Sequence, residues 1–354
     1  MIGERLRAAR IAAGMSQQSV ADAVGVSKNA ISKYERNLDM PGSEVLLRLA
    51  EALKVSVEFL FRPVTFDFAT SAFRCRDDVS LPAKTLKALR AQVQEWLERY
   101  VAAEEIVGER RRFELPDGVT RRVRSEEEVE RVALQLREAW DLGEDAIDNL
   151  AEVLEEKGIK VGTVGGDDAF DAVLCFVHED EPVIAMNQER PGDRQRFNLA
   201  HELGHLMLQA ARSLNREKLA HRFAGAFLAS KPAARLELGS KRHLLDLYEL
   251  HLLKHKYGLS MQGWIHRADD LGIIGRSTAR RYLAEFKKRG WKKVEPGDQI
   301  PREEPQRLER LVRRALAEEL ITESRAAELL ALSVREFRHR EADRHGGLPV
   351  GLRA

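Results

Sequence analysis

Two histidines and a glutamate stand in the order His-Glu-x-x-His within "FNLAHELGHLML", Phe197 to Leu208, where nearly every other residue is apolar. A helix advances about 100° per residue, so His201 and His205 lie about 40° apart on one face and both reach one ion. Glu202 sits about 100° further round, where it touches a ligand of that ion. Burying three such groups without partners costs roughly 1–3 kcal/mol each, so something must meet them. Two imidazoles at this spacing suit zinc, and the glutamate suits a base that takes a proton from water on the metal.

Zinc needs a third protein ligand, and the next helical segment offers one. In "REKLAHRFAGAFLAS" the apolar stripe runs through Ala220, Phe223, Ala224 and Phe227, and Glu217 shares the face of the two alanines. A carboxylate on the inward side of an amphipathic helix beside an HExxH helix is a natural ligand, and it lowers the net charge of the site. His221, one turn on, also points inward; it can hydrogen-bond the ligand carboxylate, stabilise an oxyanion, or bind the metal itself. His251 and His255 in "HLLKH" share the i, i+4 spacing but have no glutamate between them and many charged neighbours. A solvated helix face explains that pair better.

These residues need elements to hold them. "IKVGTV", "FDAVLCFV" and "PVIAMN" are three β-rich runs separated by polar turns, which predicts a small antiparallel sheet just before the motif. Before them, Pro82 to about Val107 reads as a long helix, and Ser125 with Glu128 reads as a capping box opening another. Residues 63–81 lose the helical pattern and predict a short strand or linker. Beyond the site the chain is helical. Arg276 to Lys293 is its most basic stretch, either a second phosphate-contacting surface or, more simply, a solvated face. Pro296 to Pro305 reads as a linker, and 305–340 as a charged tail of two or three helices. The sequence contains no evident internal repeat.

Residues 1–62 read as five short helices with sharp punctuation. Gly14 ends the first, Ser16 caps the second, Gly25 stops it, and Ser27 caps the third. Helix, glycine turn and helix at this spacing are what a helix-turn-helix needs. Ser27, Lys28, Asn29, Ser32 and Lys33 fall on the outward side of the third helix, with Lys28 and Asn29 the expected base readers. Gln17 and Gln18 open the second helix, where amides meet phosphate. Arg10 and Glu35 are expected to form a structural ion pair. The segment carries nine Lys/Arg against seven Asp/Glu, a weak excess, so a homodimer on a two-fold duplex DNA operator is expected.

Together, the segment "RPGDRQRFNLAHELGHLML", the preceding sheet and "EKLAHRFAGAFLAS" resemble the ImmA/IrrE family of zinc-dependent peptidases, while residues 1–62 resemble an Xre/Cro-type DNA-binding domain. The peptidase motif maps onto His201, Glu202, His205, Glu217, Ala220, Phe223 and Ala224. The chain departs from it at His221, where Asn or Asp is usual, and at "LASKP", where Met-Pro is common. The resemblance implies Zn2+ as cofactor, a zincin-like α+β core, and a protein substrate that is itself a helix-turn-helix repressor cut in a stress or induction response. The alternative is a non-enzymatic transcription factor or antitoxin-like regulator whose zinc body senses a ligand or supports dimerisation.

The expected fold is mainly α with a small antiparallel sheet. Its expected parts are 1–62 for the DNA-binding domain, 63–124 for a linker and long helix, 125–232 for the peptidase core, 233–295 for a helical extension and 296–354 for the tail. The net charge of +1 over 354 residues excludes a bulk field drawing the whole molecule to nucleic acid or membrane. Two distant cysteines, Cys75 and Cys175, predict a reducing compartment and no disulfide framework. With no secretory signal or membrane span in the sequence, the cytoplasm is the expected location.

Overall fold

A computed structural model describes residues 2–55, 57–61, 74–75, 82–165, 170–177, 181–292 and 294–347. The chain divides into two compact units, one of Met1–Ala72, Ser80–Arg110 and Gln306–Ala354, the other of Phe73–Val79 and Arg111–Pro305. The first opens with α1 (Ile2–Ala12), α2 (Gln17–Val24), α3 (Lys28–Glu35), α4 (Ser43–Leu53) and α5 (Val57–Phe61). Its boundaries are local chemistry: Ser16 and Ser27 accept the N–H groups of Ser19 and Ala30, and Gly25 closes α2 at φ 70°, a conformation without penalty for glycine. Leu6, Val20, Ala21, Ile31, Leu49 and Leu60 make the core.

Next along the chain come β1 (Arg74–Cys75), which belongs to the second unit, and the long helix α6 (Ala83–Val107) of the first; the rest of the expected strand or linker at 63–81 lies outside the described residues. α1 docks on α6, where Gln92 Nε2 donates to the Ala12 carbonyl and buried Arg5 pairs with buried Glu98 at 2.5 Å.

The second unit adds β2 (Arg122–Val123), α7 (Glu128–Ala139), α8 (Leu150–Glu156), β3 (Lys160–Val164), β4 (Ala172–Val177), β5 (Glu181–Asn187) and α9 (Gly192–Met207). It continues through β6 (Gln209–Ala210), α10 (Arg216–Leu228), α11 (Lys231–Leu238), α12 (Leu247–Tyr257), α13 (Met261–Asp270) and α14 (Arg276–Lys288). All three expected strands form, in the order β1-β4-β5-β3. The sheet is mixed rather than wholly antiparallel. β4 and β5 make an antiparallel hairpin, and β3, excluded from β4, pairs parallel to the far side of the fully buried β5. The capping box is replaced: α7 starts two residues later than expected, and Glu128 accepts the N–H of Arg124.

Two further expectations are overturned here. Cys175 is disulfide-bonded, and the β1–β4 register sets Cys75, the chain's other cysteine, opposite it; spacing in sequence says nothing about neighbours across a sheet. Residues 295–305 are no free linker either. Buried Glu295 caps α13 by accepting the N–H groups of Met261 and Gln262, and buried Glu303 accepts the N–H of Ala151 and pairs with Arg196. This strap crosses so close to the start of α9 that a Cβ on Gly192 would lie 1.9 Å from the Pro301 carbonyl oxygen.

The chain returns to the first unit with α15 (Arg307–Ala317), α16 (Glu323–Leu329) and α17 (Val334–Gly347). Leu311, Val312, Ala326, Ala327, Leu329 and Phe337 pack with Ala103 of α6, and Arg99 donates to the Leu329 carbonyl. No helix among the described residues is long and apolar enough to cross a membrane.

Candidate metal centre and DNA-binding face

α9 carries His201, Glu202 and His205 over the hairpin, and α10 lies against it because position 204 is glycine. A Cβ there would meet Phe223 Cδ1 at 3.0 Å and Ala220 Cα at 3.2 Å. Gly204 therefore admits the neighbouring helix, and with it Glu217. Asn215 caps α10 through the N–H of Lys218, which fixes Glu217 in its first turn.

The three expected ligands converge. His201 Nε2 and His205 Nε2 are 3.0 Å apart, and the two carboxylate oxygens of Glu217 lie 3.2 Å from His201 Nε2 and 3.1 Å from His205 Nε2. Zinc held at 2.0–2.1 Å in a tetrahedron spaces its ligands by roughly 3.3 Å, close to each of these separations, and the three side chains are the ones able to hold one ion. Among the described residues this is the one cluster of His, Cys, Asp and Glu able to hold an ion. Buried His201 Nδ1 has no hydrogen-bond partner, so Nε2, the nitrogen aimed at Glu217, carries the ring's polar contacts. Glu217 is about half exposed, leaving the centre open on that side. The residues present fit a divalent metal.

Glu202 is buried, and its Oε2 accepts the N–H of Leu174 on β4, which fixes the carboxylate beside the ligand pair. His221 lies beside the site with its outer edge exposed rather than wholly turned inward, its ring 4.5 Å from that of His201 and stacked on Phe197 at 5.7 Å. Burial pushes its pKa down to about 4, and the neighbouring His201 adds to that against the pull of Glu217, so the imidazole is neutral near pH 7.

His221 and Phe197 also form part of the wall of a cavity of about 650 Å³ that continues between α9, α10 and α13. Asn198, His266 and Asp270 line it, and Asn198 Nδ2 is buried there without a partner. Sequence reasoning passed over Asn198, although its position three residues before His201 puts it on the same helical face. Burial raises the Asp270 carboxyl above its ordinary range, against the opposing charges of Arg222 and Arg267. The second histidine pair joins no metal cluster among the described residues: His255 contacts the Asp298 carbonyl at 3.2 Å and His251 stacks on Tyr248. The basic α14 leaves Arg276, Arg280, Lys287 and Lys288 exposed, while Arg289 lies over Trp291 and pairs with Glu285.

In the first unit, Gln18, Ser27, Lys28, Asn29 and Lys33 are exposed, and Gln17 and Ser32 are half-buried. Two of them have structural duties as well, since Ser27 caps α3 and Gln17 Nε2 donates to Glu35 at 2.7 Å. Glu35 takes two more bonds from Arg10, the expected ion pair.

The fold and the two sites define a helix-turn-helix head joined to a body with a metallopeptidase-like centre. Comparisons with known proteins agree: residues 6–60 match the family described as Helix-turn-helix, and residues 154–269 match the IrrE N-terminal-like domain, a peptidase family. The chain is 39% identical over 62 residues to an SPbeta prophage-derived uncharacterized HTH-type transcriptional regulator, YonR, of Bacillus subtilis, covering 18% of this chain and 57% of that one. It is 36% identical over 59 residues to the HTH-type transcriptional regulator ImmR of the same organism, covering 17% and 46%. With repressor protein C2 of Salmonella phage P22 it shares 40% over 62 residues, 18% of this chain and 29% of the repressor. The chain thus spans about half or less of the length of each of these curated relatives.

Proposed function

We propose that this protein is a cytoplasmic DNA-binding transcriptional regulator whose body is a zinc-dependent endopeptidase acting on a helix-turn-helix repressor. The observation that carries the reading is the convergence of His201, His205 and Glu217, at separations close to those between ligands of a tetrahedral ion. Zinc held there supplies a Lewis acid that brings the pKa of a water ligand toward ~7.

The chain's own residues do the rest. Glu202, oriented by the Leu174 N–H, takes a proton from the attacking water as the new C–O bond forms at the scissile carbonyl. It returns that proton to the amine nitrogen as the C–N bond breaks. Neutral His221 stands beside His201, where an N–H donor stabilises the negative charge that develops on the carbonyl oxygen. The adjoining cavity receives a substrate side chain, with Phe197 as its apolar wall and Asn198 as an unspent amide. At the other end Lys28 and Asn29 address base edges while Gln18 and Lys33 meet phosphate, with the chain acting as a homodimer.

The test uses full-length, zinc-replete protein and a panel of helix-turn-helix repressors, its own head included. Glu202→Gln should retain zinc at one ion per chain and lose cleavage. A Glu202→Gln variant that cuts at the normal rate overturns the base assignment. Wild-type protein that binds zinc and operator yet cuts nothing leaves the sensor reading in its place.

A further inference from the structure

The C-terminal helices repeat, in backbone geometry, the helix-turn-helix at the front of the chain. In α2–α3 a hydroxyl N-cap (Ser16) opens the first helix, a left-handed residue (Gly25) turns the chain, and a second hydroxyl N-cap (Ser27) follows eleven residues after the first. In α16–α17 Thr322 opens the first helix, Ala331 at φ 55° makes the turn, and Ser333 caps the next helix, again eleven residues on and two after the left-handed position. The bond that closes the turn is the same in both, Val26 N–H to Ala21 O at 3.0 Å and Leu332 N–H to Ala327 O at 2.9 Å.

The packing repeats too. Val20, Ala21 and Ile31 are buried at the fourth, fifth and fifteenth positions after Ser16, and Ala326, Ala327 and Phe337 are buried at the same positions after Thr322. A glutamate nineteen residues after the first cap, Glu35 or Glu341, takes two hydrogen bonds from an arginine of the preceding helix, Arg10 of α1 or Arg313 of α15. Only Ala21/Ala327, Ser27/Ser333 and Glu35/Glu341 are identical between the two stretches, so residue identity hides the repeat.

We propose that α15–α17 form a second helix-turn-helix in which α17 reads duplex DNA. Its charges favour that occupant. Arg335, Arg338, His339 and Arg340 are exposed, while the acids near them are engaged: Glu336 by Ser333, Glu341 by Arg313 and Asp343 by His339. Glu323, the acid at the start of α16, is met by Arg338 at 2.8 Å. Arg335 and Arg340 make no hydrogen bond or ion pair among the described residues. Arg335 occupies the position of Asn29, one of the two base readers of α3. Both helix-turn-helix units are mounted on α6. α1 meets it around Gln92 and Glu98, and α15–α16 around Arg99 to Val107, about 12 Å further along at 1.5 Å per residue. A second reading helix in the same unit also answers the weak charge excess of the first.

The test is selection from a randomised 40-base-pair duplex pool with the full chain, R335A/R340A and K28A/N29A. The full chain should enrich a motif of two blocks, and each double variant should keep one block and lose the other. On the duplex selected by the full chain, R335A/R340A should bind at least tenfold more weakly near 0.1 M salt, with the log K against log salt slope reduced by up to about two, at 0.9 per phosphate contact. Both arginines are exposed, and Arg340 acts on Glu336 through its charge alone, so the melting temperature should hold, and R335K/R340K should recover the phosphate part of the affinity.

R335A/R340A that enriches the full chain's motif with unchanged affinity and slope overturns the proposal. So does a shift from dimer to monomer in R335A/R340A with DNA binding intact, which would assign the face to self-association. If K28A/N29A alone behaves as the full chain does, the base readers of the head are wrongly chosen and the C-terminal reader stands.

Discussion

Zinc should act on stability as well as chemistry, and the size of the effect follows from the site. The two imidazole Nε2 atoms sit 3.0 Å apart, and each faces one oxygen of the Glu217 carboxylate at 3.1–3.2 Å, close to the roughly 3.3 Å between ligands of tetrahedral zinc, so binding needs little more than a turn of that carboxylate. An ion that binds the folded state alone at a thousand times its Kd contributes about 4.1 kcal/mol. For a body of roughly 200 residues each kcal/mol moves Tm by about 2–4 °C, so zinc should raise the melting transition of the Arg111–Pro305 unit by about 8–16 °C over chelated protein. Calorimetry with and without a chelator, paired with metal analysis, reads this directly. His205→Ala and Glu217→Gln should lose the increment, while Glu202→Gln should keep it, because the ligand cluster is His201, His205 and Glu217, and a glutamine at 202 still accepts the N–H of Leu174. A wild-type transition that zinc leaves in place, in protein that takes up no metal, refutes the coordination argument and the hydrolase reading with it.

Other consequences are local. Arg267→Met removes a fully buried guanidinium that makes two hydrogen bonds to Glu130 and one to the Ala229 carbonyl; denaturant titration should show a loss of about 3–5 kcal/mol. Burial works to raise the Glu130 pKa, but the Arg267 bonds and charge outweigh it, with Arg222 helping, and hold it below the ordinary carboxylate range. A group depressed in the folded state stabilises at neutral pH and gives that up as pH falls through its folded pKa. The stability gap between wild type and Glu130→Gln should therefore close below about pH 4; a gap that persists there argues for packing alone. Gly192→Ala should push the 295–305 strap off α9, since its Cβ has no room beside Pro301. Limited proteolysis should then cut the strap faster, and unchanged protection would disprove the clash.

The sequence determined what depends on neighbours along the chain. His201, Glu202 and His205 belong to one helix, and 3.6 residues per turn decides which of them share a face. Glu217 was legible for the same reason, as a carboxylate on an apolar stripe. The boundaries of α2 and α3 were legible from Ser16, Gly25 and Ser27, because a cap is a contact over three residues. Tertiary structure decided what depends on approach in space. In one dimension Gly204 shows only that a side chain is missing beside the motif; in space it becomes the gap that lets Phe223 and Ala220 close on α9, bringing Glu217 to the histidines. Cys75 and Cys175, a hundred residues apart, meet only because β1 pairs with β4. The stretch after Pro296 carries turn residues and reads as a linker, but Glu295 and Glu303 find helix N–H groups and become buried. The likeness between α2–α3 and α16–α17 lies in dihedral angles and burial positions, which very different side chains satisfy equally well.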